Sequence, residues 1–208
     1  MRILFIGSVQ FSFELLDHLI KYNQNIVGVI STKNKTINSD YANLSSLSYK
    51  KNVPIHFTND INNLRSYNWI KNKKCDIIFC LGWSSLLKID VINLPRYGVV
   101  GYHPTDLPKN RGRHPIIWSI ALGLKNTSST FFMIEKGVDS GPIVSKSYVK
   151  ITNIDDSKTL YNKLIECAKK QVIQIINNFK NNKIKFIKQK NKNSNYWRKR
   201  KFEDGCID

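Results

Sequence analysis

Acid–base chemistry is concentrated in two short segments of the sequence. His103-Pro-Thr-Asp-Leu-Pro-Lys-Asn-Arg-Gly-Arg-His-Pro115 follows directly on an apolar run, and its three prolines and one glycine fix an extended loop with His103 at its mouth. An imidazole at a strand's carboxyl end can donate or take a proton near neutral pH, or hydrogen-bond a developing oxyanion. The alternative is a structural His bonded within its own loop; Lys109, Arg111 and Arg113 make this loop basic and tilt it toward anion chemistry. Glu135-Lys-Gly-Val-Asp-Ser-Gly141 sets Asp139 between two glycines. An Asp there either orients a nearby His or closes its own turn. Spacing alone does not put Asp139 against His103. A third segment, Gly7-Ser-Val-Gln-Phe-Ser12, has the form of a strand-to-helix turn, whose N–H groups suit an anion. It lacks G-x-G-x-x-G, so a dinucleotide is not indicated.

The elements that must position these segments alternate. Arg2–Ile6, Ile26–Ile30, Pro54–Thr58, Asp76–Leu81 and Gly98–Tyr102 have the apolar patterns of buried strands. Between them, helical spacing runs from Ser12 (as N-cap) to Lys21, over Asn43–Lys51, over Ile61–Lys71 with Leu64 and Trp69 inward, and over Ser84–Leu94. Ser31–Asn43 is polar and loop-like. Further on come a helix at His114–Leu122, strands at Ser128–Ile134 and Ile143–Val149, a long helix capped by Asp155 or Ser157 and ending near Lys180, and a last strand at Ile184–Ile187. The pattern specifies an α/β, Rossmann-like domain with a mainly parallel twisted sheet and helices on both faces. Its loops after Ile6, Leu81 and Tyr102 should meet at the site.

Composition narrows the class. The chain has 208 residues, 41% apolar, with 33 Lys+Arg against 15 Asp+Glu. This fits a folded domain, and no apolar run approaches the roughly 20 residues of a membrane helix. Of the net +18, +13 falls between Lys158 and Phe202, and 26 of the basic residues are Lys. Lys, Asn and Ile share A/T-rich codons, a compositional alternative to phosphate binding, and a solvated basic surface is expected rather than a nucleic-acid site. Cys75, Cys80, Cys167 and Cys206 form no CxxC and have no His at zinc spacing. Reduced thiols, a cytoplasmic location and no metal follow as expectations.

Four segments then agree in order: RILFIGSVQFS, HPTDLPKNRGRHPIIWSIALGL, STFFMIEKGVDSGPIV and YWRKRKFEDGCID. Together they resemble the formyltransferase family, which includes methionyl-tRNA formyltransferase, glycinamide ribonucleotide formyltransferase and the sugar-nucleotide N-formyltransferases. Ser39–Ile61 and LGWSSL at Leu81–Leu86 resemble the sugar enzymes most. The resemblance implies a formyltransferase fold over residues 1–188, with a basic tail over 189–208 closing on it. It also implies formyl transfer from N10-formyltetrahydrofolate to the amine of a dTDP- or UDP-linked amino sugar, for surface polysaccharide such as lipopolysaccharide O-antigen. The family's catalytic His and Asp fall on His103 and Asp139. Its Asn falls on Gly101, which offers only a backbone N–H. The same matching puts the folate beside Ser85, Leu86, Leu87, Arg113 and Glu135, Lys136, Gly137, Val138 and Asp139. Ser8, Gln10, Tyr102, Lys109, Asn110 and Arg111 are the candidates for sugar and pyrophosphate, and Tyr102 is one candidate replacement for the missing Asn. Trp83 and Trp118 suit either stacking on a ring or core packing.

Three functions stay open at this stage. Sugar N-formylation is favoured, with no nucleic-acid or membrane partner and a homodimer expected by resemblance only. Methionyl-tRNA or glycinamide ribonucleotide formylation is the alternative; the tRNA enzyme carries a further C-terminal domain after its EDGxID segment, where this sequence stops. A weakened, ligand-binding homologue is the third, motivated by Gly101 and the basic tail.

Overall fold

The computed structural model describes residues 1–33 and 39–205. The loop expected over Ser31–Asn43 lies partly outside these residues, and Cys206 lies wholly outside them. In chain order the elements are β1 (Ile3–Ile6), α1 (Gln10–Lys21), β2 (Ile26–Ser31), α2 (Ser45–Lys50), β3 (Ile55–Phe57), α3 (Leu64–Lys73), β4 (Ile77–Cys80), α4 (Ile89–Ile92), β5 (Val99–His103), β6 (Arg111–Gly112), α5 (Pro115–Ala121), β7 (Asn126–Met133), β8 (Ile143–Lys150), α6 (Ser157–Lys180) and β9 (Tyr196–Trp197).

A seven-stranded sheet has the order β3-β2-β1-β4-β5-β7-β8. The first five strands are parallel; β7 runs antiparallel to β5, and β8 antiparallel to β7. β1 and β4 read as unbroken apolar runs because both faces are covered. Ile3 and Phe5 point to the layer of α1 and α6, whereas Leu4 and Ile6 point to α3 and α4. Trp69 of α3 lies across Gly28 of β2, where a Cβ would come within 2.6 Å of its ring. α6 covers one face with an apolar stripe from Leu160 to Phe179. Among the described residues no helix is long and apolar enough to cross a membrane.

Local chemistry moves several expected boundaries. α1 starts at Gln10, and Ser12 sits at its third position, where Oγ accepts from Val9 N (3.2 Å) and donates to Leu81 O (2.5 Å). α6 is capped by Asp156, in a reciprocal box with Thr159, and neither Asp155 nor Ser157 takes that role. Asp155 is occupied by Thr152 and Lys163. Leu64 opens α3 and is 74% exposed, so only Trp69 of the expected pair packs inward. The helix expected over Ser84–Leu94 shrinks to α4. Asn62 binds Leu86 O (2.9 Å) and Lys88 N (2.7 Å), which holds 84–88 out of helical geometry. Ile184–Ile187 forms one bridge, Ile187 to Ile143, and no strand.

Candidate active site

Local pattern carries His103 to the last position of β5 and Asp139 into the turn before β8. The fold then brings His103 Nδ1 to 3.6 Å from Asp139 Oδ2. His103 is 5% exposed, and its Nε2 lies 2.8 Å from the Asn110 carbonyl. Both ring nitrogens therefore face oxygen acceptors. Asp139 Oδ2 also accepts the Gly112 N–H at 2.9 Å. One stretch, Asn110–Gly112, thus supplies a backbone partner to each member of the pair.

The backbone around the pair is under constraint. Asn110, His114 and Asp139 all have positive φ, at 60°, 54° and 50°. An L-residue pays about 1–2 kcal/mol for this conformation, so its surroundings must impose it. Part of the constraint comes from far along the chain. β9 pairs with β6, and Asn195 takes the Asn110 N–H (2.8 Å) while donating to Asn110 Oδ1 (2.9 Å).

Beside this cluster a cavity of 1290 Å³ opens at the carboxyl ends of β1, β2 and β4, where the order of the sheet reverses. Such reversals are where open α/β sheets bind ligands. Ser8, Gln10, Ser85 and Arg113 line it, as do Trp83, Thr32, Asp40 and Tyr161. Arg113, Lys158 and Lys199 give it more positive than negative charge. His114 also lines it; burial first, then Arg113, Lys199 and Arg200, hold its pKa below the ordinary imidazole value.

The other expected residues lie elsewhere. Arg111 is 2% exposed, with its guanidinium bonded to Gln189, Asn191 and Tyr196, so it is a strut under the loop and not a pyrophosphate ligand. Tyr102 points to the opposite face of the sheet from His103. It stacks on Phe11 at 4.3 Å, and burial raises its hydroxyl's pKa, so it does not replace the missing side chain at 101. Leu87 is packed in the core, Leu86 is 71% exposed, and Glu135, Lys136, Gly137 and Val138 are exposed beside Asp139 without lining the cavity. Lys109 is exposed, and Asn110 contributes through its backbone. Trp118 is engaged by Arg198 and Arg200 at 5.4 and 4.9 Å, and Trp83 is a cavity wall.

Gly101 is closely packed by side chains. A Cβ there would lie 2.9 Å from Ile134 and 3.1 Å from Phe132. The room an Asn side chain needs is taken by those two residues. The first turn also departs from expectation. The N–H groups of Val9, Gln10 and Phe11 are bonded to Ser12 Oγ, Asp40 O and Tyr161 OH, so the start of α1 is not an open anion cradle. Tyr161 in turn donates to Asp40 Oδ2 at 2.8 Å, and burial with Asp40 raises its pKa. Asp40, Tyr161 and Gln189 were marked by no local chemical pattern, because each reaches the site from a segment distant from the 103–115 loop. Among the described residues no cluster of three or more His, Cys, Asp or Glu side chains could hold a metal.

Comparison with known proteins supplies the family. Residues 1–176 match the Formyl transferase family. The methionyl-tRNA formyltransferase of Kosmotoga olearia is 31% identical over 211 residues, which is 100% of this chain and 68% of that protein. Among solved structures, WlaRD, a sugar 3N-formyl transferase studied with dTDP and 5-N-formyl-THF, superposes with a TM-score of 0.74 at 24% identity, over 98% of this chain and 70% of that one. The Helicobacter canadensis N-formyltransferase, in complex with folinic acid and dTDP-3-aminofucose, gives 0.72 at 19% identity, over 94% and 70%. With the family matched across most of its length, on a sheet of the same fold, this chain belongs to the formyl transferase family.

Proposed function

We propose that the protein transfers the formyl group of N10-formyltetrahydrofolate to the amine of a nucleotide-linked amino sugar. The observation that carries this reading is the His103–Asp139 pair, held by Asn110–Gly112, whose next residues, Arg113 and His114, form the wall of the switch-point cavity. The acceptor nitrogen attacks the formyl carbon, and charge builds on the formyl oxygen. The His103 Nε2–H leaves the Asn110 carbonyl for that oxygen, and Asp139 takes a proton from the attacking nitrogen. Collapse breaks the bond to N10, which receives the proton held on Asp139, and leaves an N-formyl amide, tetrahydrofolate and the regenerated carboxylate. With no side chain at Gly101, His103 is the side-chain donor to the oxyanion.

Arg113, Lys158 and Lys199 suit the anionic groups of a nucleotide diphosphate and of folate. The WlaRD and Helicobacter canadensis structures, with their dTDP and folate ligands, support the same pair of substrates. Ser85 and Arg113 are the proposed folate contacts on the cavity wall, and Ser8 and Gln10 the proposed acceptor contacts. A second reading, methionyl-tRNA formylation, is favoured by the Kosmotoga olearia relative.

One assay separates them. The protein is incubated with N10-formyltetrahydrofolate and either a panel of dTDP- and UDP-amino sugars or methionyl-tRNA, and formyl transfer is followed. Turnover with a sugar nucleotide alone is expected. Turnover with methionyl-tRNA alone replaces the acceptor, and transfer to neither rejects both readings.

A further inference from the structure

Gln189 sits in a Lys- and Asn-rich run with no motif around it, yet it is 7% exposed and fully bonded. Its Nε2 donates to the carbonyls of Asp139 (2.9 Å) and Gly141 (2.7 Å). Its Oε1 accepts from Arg111 Nη2 (2.7 Å) and Nε (3.2 Å). One side chain therefore joins the turn that carries Asp139 to the residue between Asn110 and Gly112. Those two flanking residues supply the backbone partners of His103 and Asp139. Asp139 and Asn110 both hold positive φ, a geometry that relaxes unless neighbouring bonds maintain it.

We propose that Gln189 is a positioning residue for the His103–Asp139 pair, fixing the Asp139 turn against the stretch that holds both groups. It touches neither reacting atom. Its effect on rate rests on the formyl-transfer reading above; its effect on the geometry of the pair does not.

Gln189→Glu tests this with the least structural damage. One carboxylate oxygen keeps the contact with Arg111, and the other, an acceptor in place of the amide N–H groups, faces the carbonyls of Asp139 and Gly141. Gln189→Met, which loses both halves of the link, is the companion variant. Thermal melts give the folded fraction, and the imidazole 15N signals of His103, assigned by their loss in His103→Asn, report its surroundings. We expect both variants to shift the His103 signals in the folded protein. We expect kcat per folded molecule to fall roughly 10- to 100-fold with KM for either substrate within about threefold, as for a misplaced reacting group. Unchanged His103 signals in folded Gln189→Glu, or a rate loss that only follows the folded fraction, would overturn the proposal. If the wild type formylates no acceptor, the His103 signals alone decide it.

Discussion

Two turns at the carboxyl edge of the sheet face the same cavity and have been built in opposite ways. The first, Gly7–Ser12 between β1 and α1, is closed by its neighbours: Ser12, Asp40 and Tyr161 take up its N–H groups. The second, 103–115 between β5 and α5, keeps a strained backbone, and its Gly112 N–H points at Asp139. A helix start in an α/β fold is often treated as an anion site by position. Here position is shared and chemistry is not. What separates the turns is where their hydrogen-bond partners come from, and whether those partners leave a donor aimed at the carboxylate paired with His103.

That contrast can be broken most directly at the second turn. Asp139→Ala and His103→Ala are each expected to lower turnover on the order of 100- to 1,000-fold while the melting curve stays cooperative, because each removes a group that the proposed reaction uses directly. Near-normal turnover in either variant would remove that residue from the proposed reaction.

Gly101→Asn comes next. Because its Cβ meets Ile134 at 2.9 Å, overpacking should destabilise the protein by about 1–3 kcal/mol in a denaturant titration, with no gain in rate. Adding Ile134→Ala should recover part of that loss, and a stable single variant would show that the site has room for a side chain.

At the first turn, Tyr161→Phe strips the Phe11 N–H of its acceptor. The expected cost is about 1–3 kcal/mol of stability, the penalty of an unpaired buried donor, with a loss of turnover per folded molecule far smaller than that of Asp139→Ala. A rate loss as large as that of Asp139→Ala would erase the distinction between the turns.

The smallest effect is with pH. Burial, aided by neighbouring cations, lowers the pKa of His18, His56 and His114 below 6.5. The unfolded chain therefore binds these protons at a higher pH than the native one. Stability should be intact above pH 6.5 and fall as the pH drops from there through the lowered native values. Melting temperatures that stay level on acidification through that range would contradict it.

Much of the architecture was written in local pattern. Buried runs such as Ile77–Cys80 and the apolar stripe of α6 specify their elements because periodicity and burial are properties of neighbouring residues. His103 and Asp139 were legible as candidates for the same reason: each sits at a chain feature, a strand end or a glycine-bounded turn. Boundaries were less so. The expected helix over 84–94 gave way to bonds from Asn62, more than twenty residues earlier, and the Asp155, Asp156 and Ser157 neighbours all have capping chemistry, so only geometry chose Asp156.

The sequence by itself determined a layered α/β domain and which residue types stand at its loop mouths. Only the tertiary structure decided that His103 meets Asp139, that Arg111 is a buried support and Tyr102 stacks on Phe11, that a Cβ at Gly101 would press on Ile134, and that Gln189 links the Asp139 turn to Arg111. The reason is physical. Periodicity is fixed by residues a few positions apart, whereas each of these contacts joins side chains from distant segments, and their distances exist only after the sheet has set the register between them.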